Sequence, residues 1–108
     1  MSELVFGYVT FSSEREATKI GRAIIEENIA ACVNLIGKIK SMYKWKDEIE
    51  SDEEYAMIVK TTKSNKEDVK NNILNLHSYD TPCIVFFESE SYSEGFYNWI
   101  KKMVESRK

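Results

Sequence analysis

One histidine, one proline, two cysteines and four glycines are all that this 108-residue chain holds of those types. Each scarcity removes a class of protein. Two cysteines, Cys32 and Cys83, are too few for a disulfide scaffold and fit a reducing cytosol. With a single histidine, His77, there is no zinc-protease helix, and the few glycines form no phosphate-cradling loop; no Ser-His-Asp pattern is present either. Basic residues are in deficit, with 15 Lys and Arg against 18 Asp and Glu and a formal charge of -3. That balance argues against DNA or RNA as the main partner, because phosphate binding needs a clear surplus of positive charge. No apolar run is long enough to cross a bilayer, and the start, "MSELVFGYVTF", lacks the basic region and apolar stretch of a secretory signal. These features together lead us to expect a cytoplasmic protein without membrane or nucleic-acid partners.

What is present suffices for one domain over residues 1–108, since 43% of the chain is hydrophobic and 31% is charged. A nearly continuous apolar run from Leu4 to Phe11 reads as a strand buried on both faces. Ser13 and Glu16 then form a capping-box pattern ahead of a helix that faces inward at Ile20 and Ile24 and stops near Asn28. A second box, Ser64 to Glu67, precedes a helix with Val69, Ile73 and Leu76 on one stripe. A strand over Cys83–Phe87 follows. A third box, Ser91 to Glu94, opens a last helix with the stripe Phe96, Trp99, Ile100 and Met103.

Between the first two helices lies a long hairpin. From Val33 to Trp45 the odd positions are mostly apolar and the even positions carry Asn34, Lys38, Lys40 and Lys44, the period of a strand with one polar face. The return strand carries Glu48, Glu50, Glu53 and Glu54 before an apolar Tyr55–Val59, so lysines and glutamates are expected to pair across the ribbon. Each arm is about twice the usual strand length. The excess must project, and Tyr43, Trp45 and Ile49 at its far end call for cover by a neighbouring subunit. The element order is β-α-β-β-α-β-α, an α+β chain whose first six elements form the ferredoxin-like split βαβ sandwich, with a long hairpin and an extra C-terminal helix.

The chemistry concentrates in "LHSYDTPCIVFF". His77 and Cys83 offer imidazole and thiolate donors suited to copper or zinc, although their spacing matches no common ligand motif. The same residues also read as a helix end followed by a strand start, with Pro82 where no backbone donor is needed. Cys32 reads either as a small buried hydrophobe or as a thiol that His77 approaches in space. The acidic run "DEIESDEE" lacks the alternating ligands and mid-loop glycine of a calcium loop. Lys60 is placed to bind an anionic ligand or a neighbour's glutamate. An acylphosphatase would share this fold, yet the turn "TFSSERE" has no glycine and only Arg15 as a phosphate cradle, so no enzyme is expected.

The set "AACVN" (Ala30–Asn34), "SMYKWKDEIESDEE" (Ser41–Glu54), "IVKTT" (Ile58–Thr62), "HSYDTP" (His77–Pro82) and "YNWI" (Tyr97–Ile100) resembles the CutA family of divalent-cation tolerance proteins, in order and over nearly the whole chain. The resemblance implies a homotrimer whose long hairpins wrap around adjacent subunits, associated with copper and other divalent cations, and with no established catalysis. It implies His77 as a copper-binding position, and Tyr79, Lys60, Cys32 and Glu54 as residues of the cleft between subunits. The departures are Ser78 where the family usually has proline, Cys83 where it usually has glutamate, Asp47 in place of the usual hairpin glycine, and no cysteine in "YVTF". Cys83 is then a candidate substitute thiolate. The alternative is a PII-like signalling module that binds a small anion through Lys60 and relays its state to an unidentified protein partner.

Overall fold

The computed structural model of the chain describes residues 3–105. Strand β1 spans Leu4–Phe11, helix α1 Glu14–Glu26, strands β2 and β3 Cys32–Trp45 and Glu48–Thr62, helix α2 Lys66–Leu76, strand β4 Ile84–Glu88 and helix α3 Glu94–Glu105. All strand pairs are antiparallel, in the order β2-β3-β1-β4. This is the expected ferredoxin-like α+β arrangement with one added helix.

Alternation along β1 sorts the core into two layers. Val9 and Phe11 join Met57 and Val59 of β3 beneath Ala17, Ile20 and Ile24 of α1 and Val69 and Ile73 of α2. The other face takes α3 at one end only, where Ile100 and Val104 meet Leu4 and Ala31, with Phe6 and Phe96 packed alongside. Beyond α3 that face is bare, and Ile36, Val85 and Phe87 stand exposed on it or at its edge.

Of the three capping boxes, only the first supplies a cap. Ser13 Oγ accepts the Glu16 N–H at 3.1 Å, but the Glu16 carboxylate turns instead to Ser78. Ser64 lies within a short 3-10 turn, Lys63–Asn65, and α2 begins without a side-chain cap. There Asn65 Nδ2 donates to Thr62 Oγ1 at 2.7 Å, while its Oδ1 is buried with no hydrogen-bond partner among the described residues. At α3 the first helical N–H, from Tyr97, donates to the Ser93 carbonyl, which puts Ser93 rather than Ser91 at the start. At the other end of α1, Asn28 takes a left-handed φ of 59° that lets Ile29 and Ala30 return their N–H groups to the Ile24 carbonyl.

The hairpin arms are 14 and 15 residues long. They draw the molecule out to 46 × 27 × 21 Å. Lys46 and Asp47 both have positive φ, 50° and 67°, the signature of a two-residue I′ turn built here without glycine. The expected single polar face is not what forms. Gly37 pairs with Tyr55 but Ile39 with Glu54, so Lys38 is an extra residue, a β-bulge. One inserted residue exchanges the two faces. Val33 and Leu35 share the helical side with Val59 and Met57, whereas Ile39, Ser41 and Tyr43 lie on the side of Glu54 and Asp52. Gly37 is required at this point because the Tyr55 ring occupies the space a Cβ would need.

Candidate functional site

The bulge delivers Ser41 and Tyr43 to the same face as Asp52 and Glu54, and side-chain hydroxyls take the carboxylates. Ser41 Oγ–H donates to Glu54 Oε1 at 2.6 Å. The Tyr43 hydroxyl donates to Asp52, which raises the Tyr43 phenol above its ordinary range chiefly by favouring its protonated form. Of the expected lysine–glutamate ladder, one ion pair forms among the described residues, Lys38 Nζ to Glu53 at 3.6 Å. It is exposed and worth little.

Opposite this edge stands the corner between α2 and β4. Tyr79 O–H donates to Glu54 Oε2 at 2.8 Å. Burial, then the Glu54 hydrogen bond, then nearby carboxylate charge push its phenol up to about 12. The two edges enclose a cleft of about 640 Å³ lined by Thr10, Tyr43, Asp52, Glu54, Tyr79 and Cys83. Its chemistry is that of oxygen donors: two carboxylates and two phenols, with one exposed thiol at the rim.

The corner itself is held by His77. Its side chain is fully buried, stacked on Phe11 at 4.7 Å between ring centroids. Nδ1 lies 3.1 Å from the Tyr79 backbone N–H, which can only donate, so Nδ1 accepts. Nε2 lies 2.8 Å from the Thr10 carbonyl, which can only accept, so Nε2 carries the proton. The ring is therefore a neutral Nε2–H tautomer with no lone pair left over. Glu16 Oε2 is 3.9 Å from Nδ1, but it is occupied by the Ser78 N–H at 2.7 Å, with the Ser78 hydroxyl on Oε1 at 3.1 Å. A proline at position 78 could not make that backbone bond.

The residues expected to share a site divide into two groups. Glu54, Tyr79 and Cys83 line one cleft. Cys32 and Lys60 do not join them: they pair with each other across β2 and β3, and Lys60 stands opposite Phe6 of β1. Phe6 is four residues from Thr10, where His77 is anchored, a separation of roughly 13 Å at the usual strand rise. Lys60 Nζ sits over the Phe6 and Phe96 rings at 5.6 and 5.7 Å. Burial raises the Cys32 thiol, with Lys60 partly opposing. His77, Cys32 and Cys83 thus form no ligand set within one chain, and no cluster of three His, Cys, Asp or Glu groups able to hold a metal occurs among the described residues. Asp52, Tyr43, Thr10 and Thr81 are cleft residues that residue-type reasoning did not assign there; for Asp52 and Tyr43 the signal was the shared strand face, hidden by the bulge.

Tyr43, Trp45 and Ile49 stand on the ribbon, 44%, 59% and 72% exposed. Lys46 Nζ lies 5.9 Å over the Trp45 ring, and among the described residues no helix packs on them.

A ferredoxin-like sheet with one overlong β2–β3 hairpin and an added C-terminal helix places the chain, by its fold, in the class of small α+β divalent-cation tolerance proteins. The chain belongs to the CutA1 divalent ion tolerance protein family, whose profile matches residues 5–103. It is 40% identical over 100 residues to the divalent-cation tolerance protein CutA of Archaeoglobus fulgidus, covering 93% of this chain and 97% of that one. Its fold superposes on the crystal structure of CutA1 from Ehrlichia chaffeensis with a TM-score of 0.93 at 31% identity, over 96% and 97% of the two chains. The structure of the periplasmic divalent cation tolerance protein CutA from Archaeoglobus fulgidus gives a TM-score of 0.89 at 39% identity, over 94% and 98%. That neighbour overturns the cytoplasmic expectation, and a relative from Arabidopsis thaliana is chloroplastic. Two free cysteines argue only against a disulfide scaffold, and such a chain folds in either kind of compartment.

Proposed function

We propose that this protein works as a homotrimer that binds divalent cations, copper among them, at the cleft beneath the β2–β3 ribbon, and so takes part in the response to metal ions. The observation that carries the reading is the convergence of the Asp52 and Glu54 carboxylates on one cleft with the Cys83 thiol at its rim. Each carboxylate has about four acceptor positions, so the hydroxyls already on Asp52 and Glu54 leave capacity for a cation. One chain supplies too few donors, and a neighbouring copy seated on the exposed ribbon completes the set. The expected role of His77 as a ligand does not fit this arrangement, because both ring nitrogens are committed. Catalysis forms no part of the reading.

The test is isothermal titration of Cu²⁺ into the wild type and into an Asp52→Asn, Glu54→Gln double variant, which keeps the side-chain shapes and one acceptor oxygen on each while removing both negative charges. Affinity is expected to fall tenfold or more, about 1.4 kcal/mol. Equal affinities reject the cleft as the site. Sedimentation of the same samples at micromolar concentration reads the assembly, and a well-folded monomer rejects the trimer.

A further inference from the structure

The chain's only histidine sits beside the cleft that holds Asp52 and Glu54, yet its ring faces the protein on every side. Nε2–H is on the Thr10 carbonyl, Nδ1 takes the Tyr79 N–H, one ring face lies on Phe11 and the Tyr79 ring leans in at 4.8 Å. Thr10 belongs to β1, one of the two interior strands of the sheet, so the imidazole fastens the α2–β4 corner to a strand paired on both sides. What the corner then presents is Tyr79, whose backbone is fixed by Nδ1 and whose hydroxyl reaches Glu54. Glu16 braces the same corner from α1 through both donors of Ser78.

We propose that His77 is a positioning residue rather than a metal ligand: as a neutral Nε2–H tautomer bridging Thr10 and Tyr79, it sets the Tyr79 hydroxyl on Glu54 and thereby shapes the cleft. A metal at either nitrogen would have to displace a buried backbone hydrogen bond, leaving the Thr10 carbonyl or the Tyr79 N–H unpaired. The inference rests on the cleft reading only for what Tyr79 is positioned to do; the tautomer and its two partners stand without it.

Because the chain has one histidine, long-range ¹H–¹⁵N NMR of the uniformly labelled full chain shows one imidazole. At pH 7 we expect a protonated Nε2 and an unprotonated Nδ1, unchanged on addition of equimolar Zn²⁺. Pulsed EPR of the Cu²⁺-loaded protein is expected to lack imidazole nitrogen modulation. The opposite tautomer, a ring-nitrogen shift on Zn²⁺ addition, or that modulation would overturn the proposal. The Asp52 and Glu54 amides in the same titration read the cleft separately, so a cleft that fails to bind is distinguished from a histidine that ligates. The positioning role is read in a third measurement, phenol ionisation followed near 295 nm. His77→Asn, whose carbonyl can accept the Tyr79 N–H in place of Nδ1, should retain the late-titrating phenol that Tyr79→Phe removes. His77→Leu should lose it, and retention in both variants would overturn the role.

Discussion

The β2–β3 ribbon is one continuous hairpin that behaves as two different objects on either side of Lys38. On the inner side, Val33 and Leu35 face Val59 and Met57, and the latter two are completely buried beneath α1 and α2. On the outer side, the same ladder carries Met42, Tyr43, Trp45 and Ile49, all exposed, and its polar groups are satisfied by hydroxyl–carboxylate pairs across the strands. Backbone pairing runs through both halves; only the inner half has helices packed on its apolar side chains. Hydrogen-bonded ladders can thus extend well past the core that supports them, and what the outer half lacks is apolar cover.

The sharpest way to break this contrast is at its two apolar extremes. Phe11 pairs with Tyr55 on the inner side of the bulge, is fully buried and carries His77 on its ring. Phe11→Ala should cost about 3–5 kcal/mol in urea unfolding. Trp45→Ala at the outer end should leave the fold of a subunit within about 0.5 kcal/mol. If a second copy covers the ribbon, the same change should weaken assembly by about 2 kcal/mol or more in sedimentation equilibrium. An unchanged trimer would show that the ribbon tip is free in the assembly as well.

Polar groups allow a second, smaller test. Thr61 is fully buried and donates to the Ile29 carbonyl at 2.6 Å. Thr61→Val should cost about 1–3 kcal/mol by orphaning that carbonyl, whereas Tyr43→Phe on the outer half should change stability by less than about 0.5 kcal/mol. Chemical denaturation of the two variants side by side decides it. At the tip, Asp47→Gly relieves a left-handed backbone conformation, φ 67°, and should raise the unfolding free energy by up to about 1 kcal/mol.

The junction between the halves has a pH signature. Tyr79 ionises in the fold near 12, above the ordinary phenol value near 10. A raised phenol stabilises the fold fully below pH 10 and loses that contribution as the pH climbs from 10 to 12. Stability attributable to Tyr79 should therefore be flat through neutral pH and decline only in that alkaline window. Tyr79→Phe should remove this part of the decline and leave the part due to Tyr43, whose phenol is also raised, as read by thermal melts.

Much of this was legible in the residues. The bounds of β1, the Ser13 cap, the end of α1 and the overlong hairpin all follow from short-range patterns of apolarity and capping, which act over a few neighbours and leave a local trace. The parts that escaped are set by distant partners. Lys38 continues the alternation of its strand, so nothing in β2 alone marks it as the extra residue; the mismatch exists only against Tyr55 and Glu54. Ser64 and Ser91 match the capping pattern as well as Ser13 does, and the tertiary setting of each helix start decided among them. His77 carries the chemistry of a soft-metal ligand, but its tautomer is fixed by a carbonyl 67 residues earlier. Lys60 is kept from the cleft by its register opposite Phe6, and its ammonium lies over two phenylalanine rings, one of them on the last helix.

The bulge has a consequence for how such a ribbon can vary. Because Ile39 already stands opposite Glu54, removing Lys38 would close the strand without shifting a single rung beyond it. Every outer side chain would keep its mate and its side of the sheet. What would vanish is the kink and extra twist that a bulge imposes, so the arm would leave the body along a different line. One dispensable lysine thus acts as an aiming device, able to redirect the arm while sparing everything the arm carries.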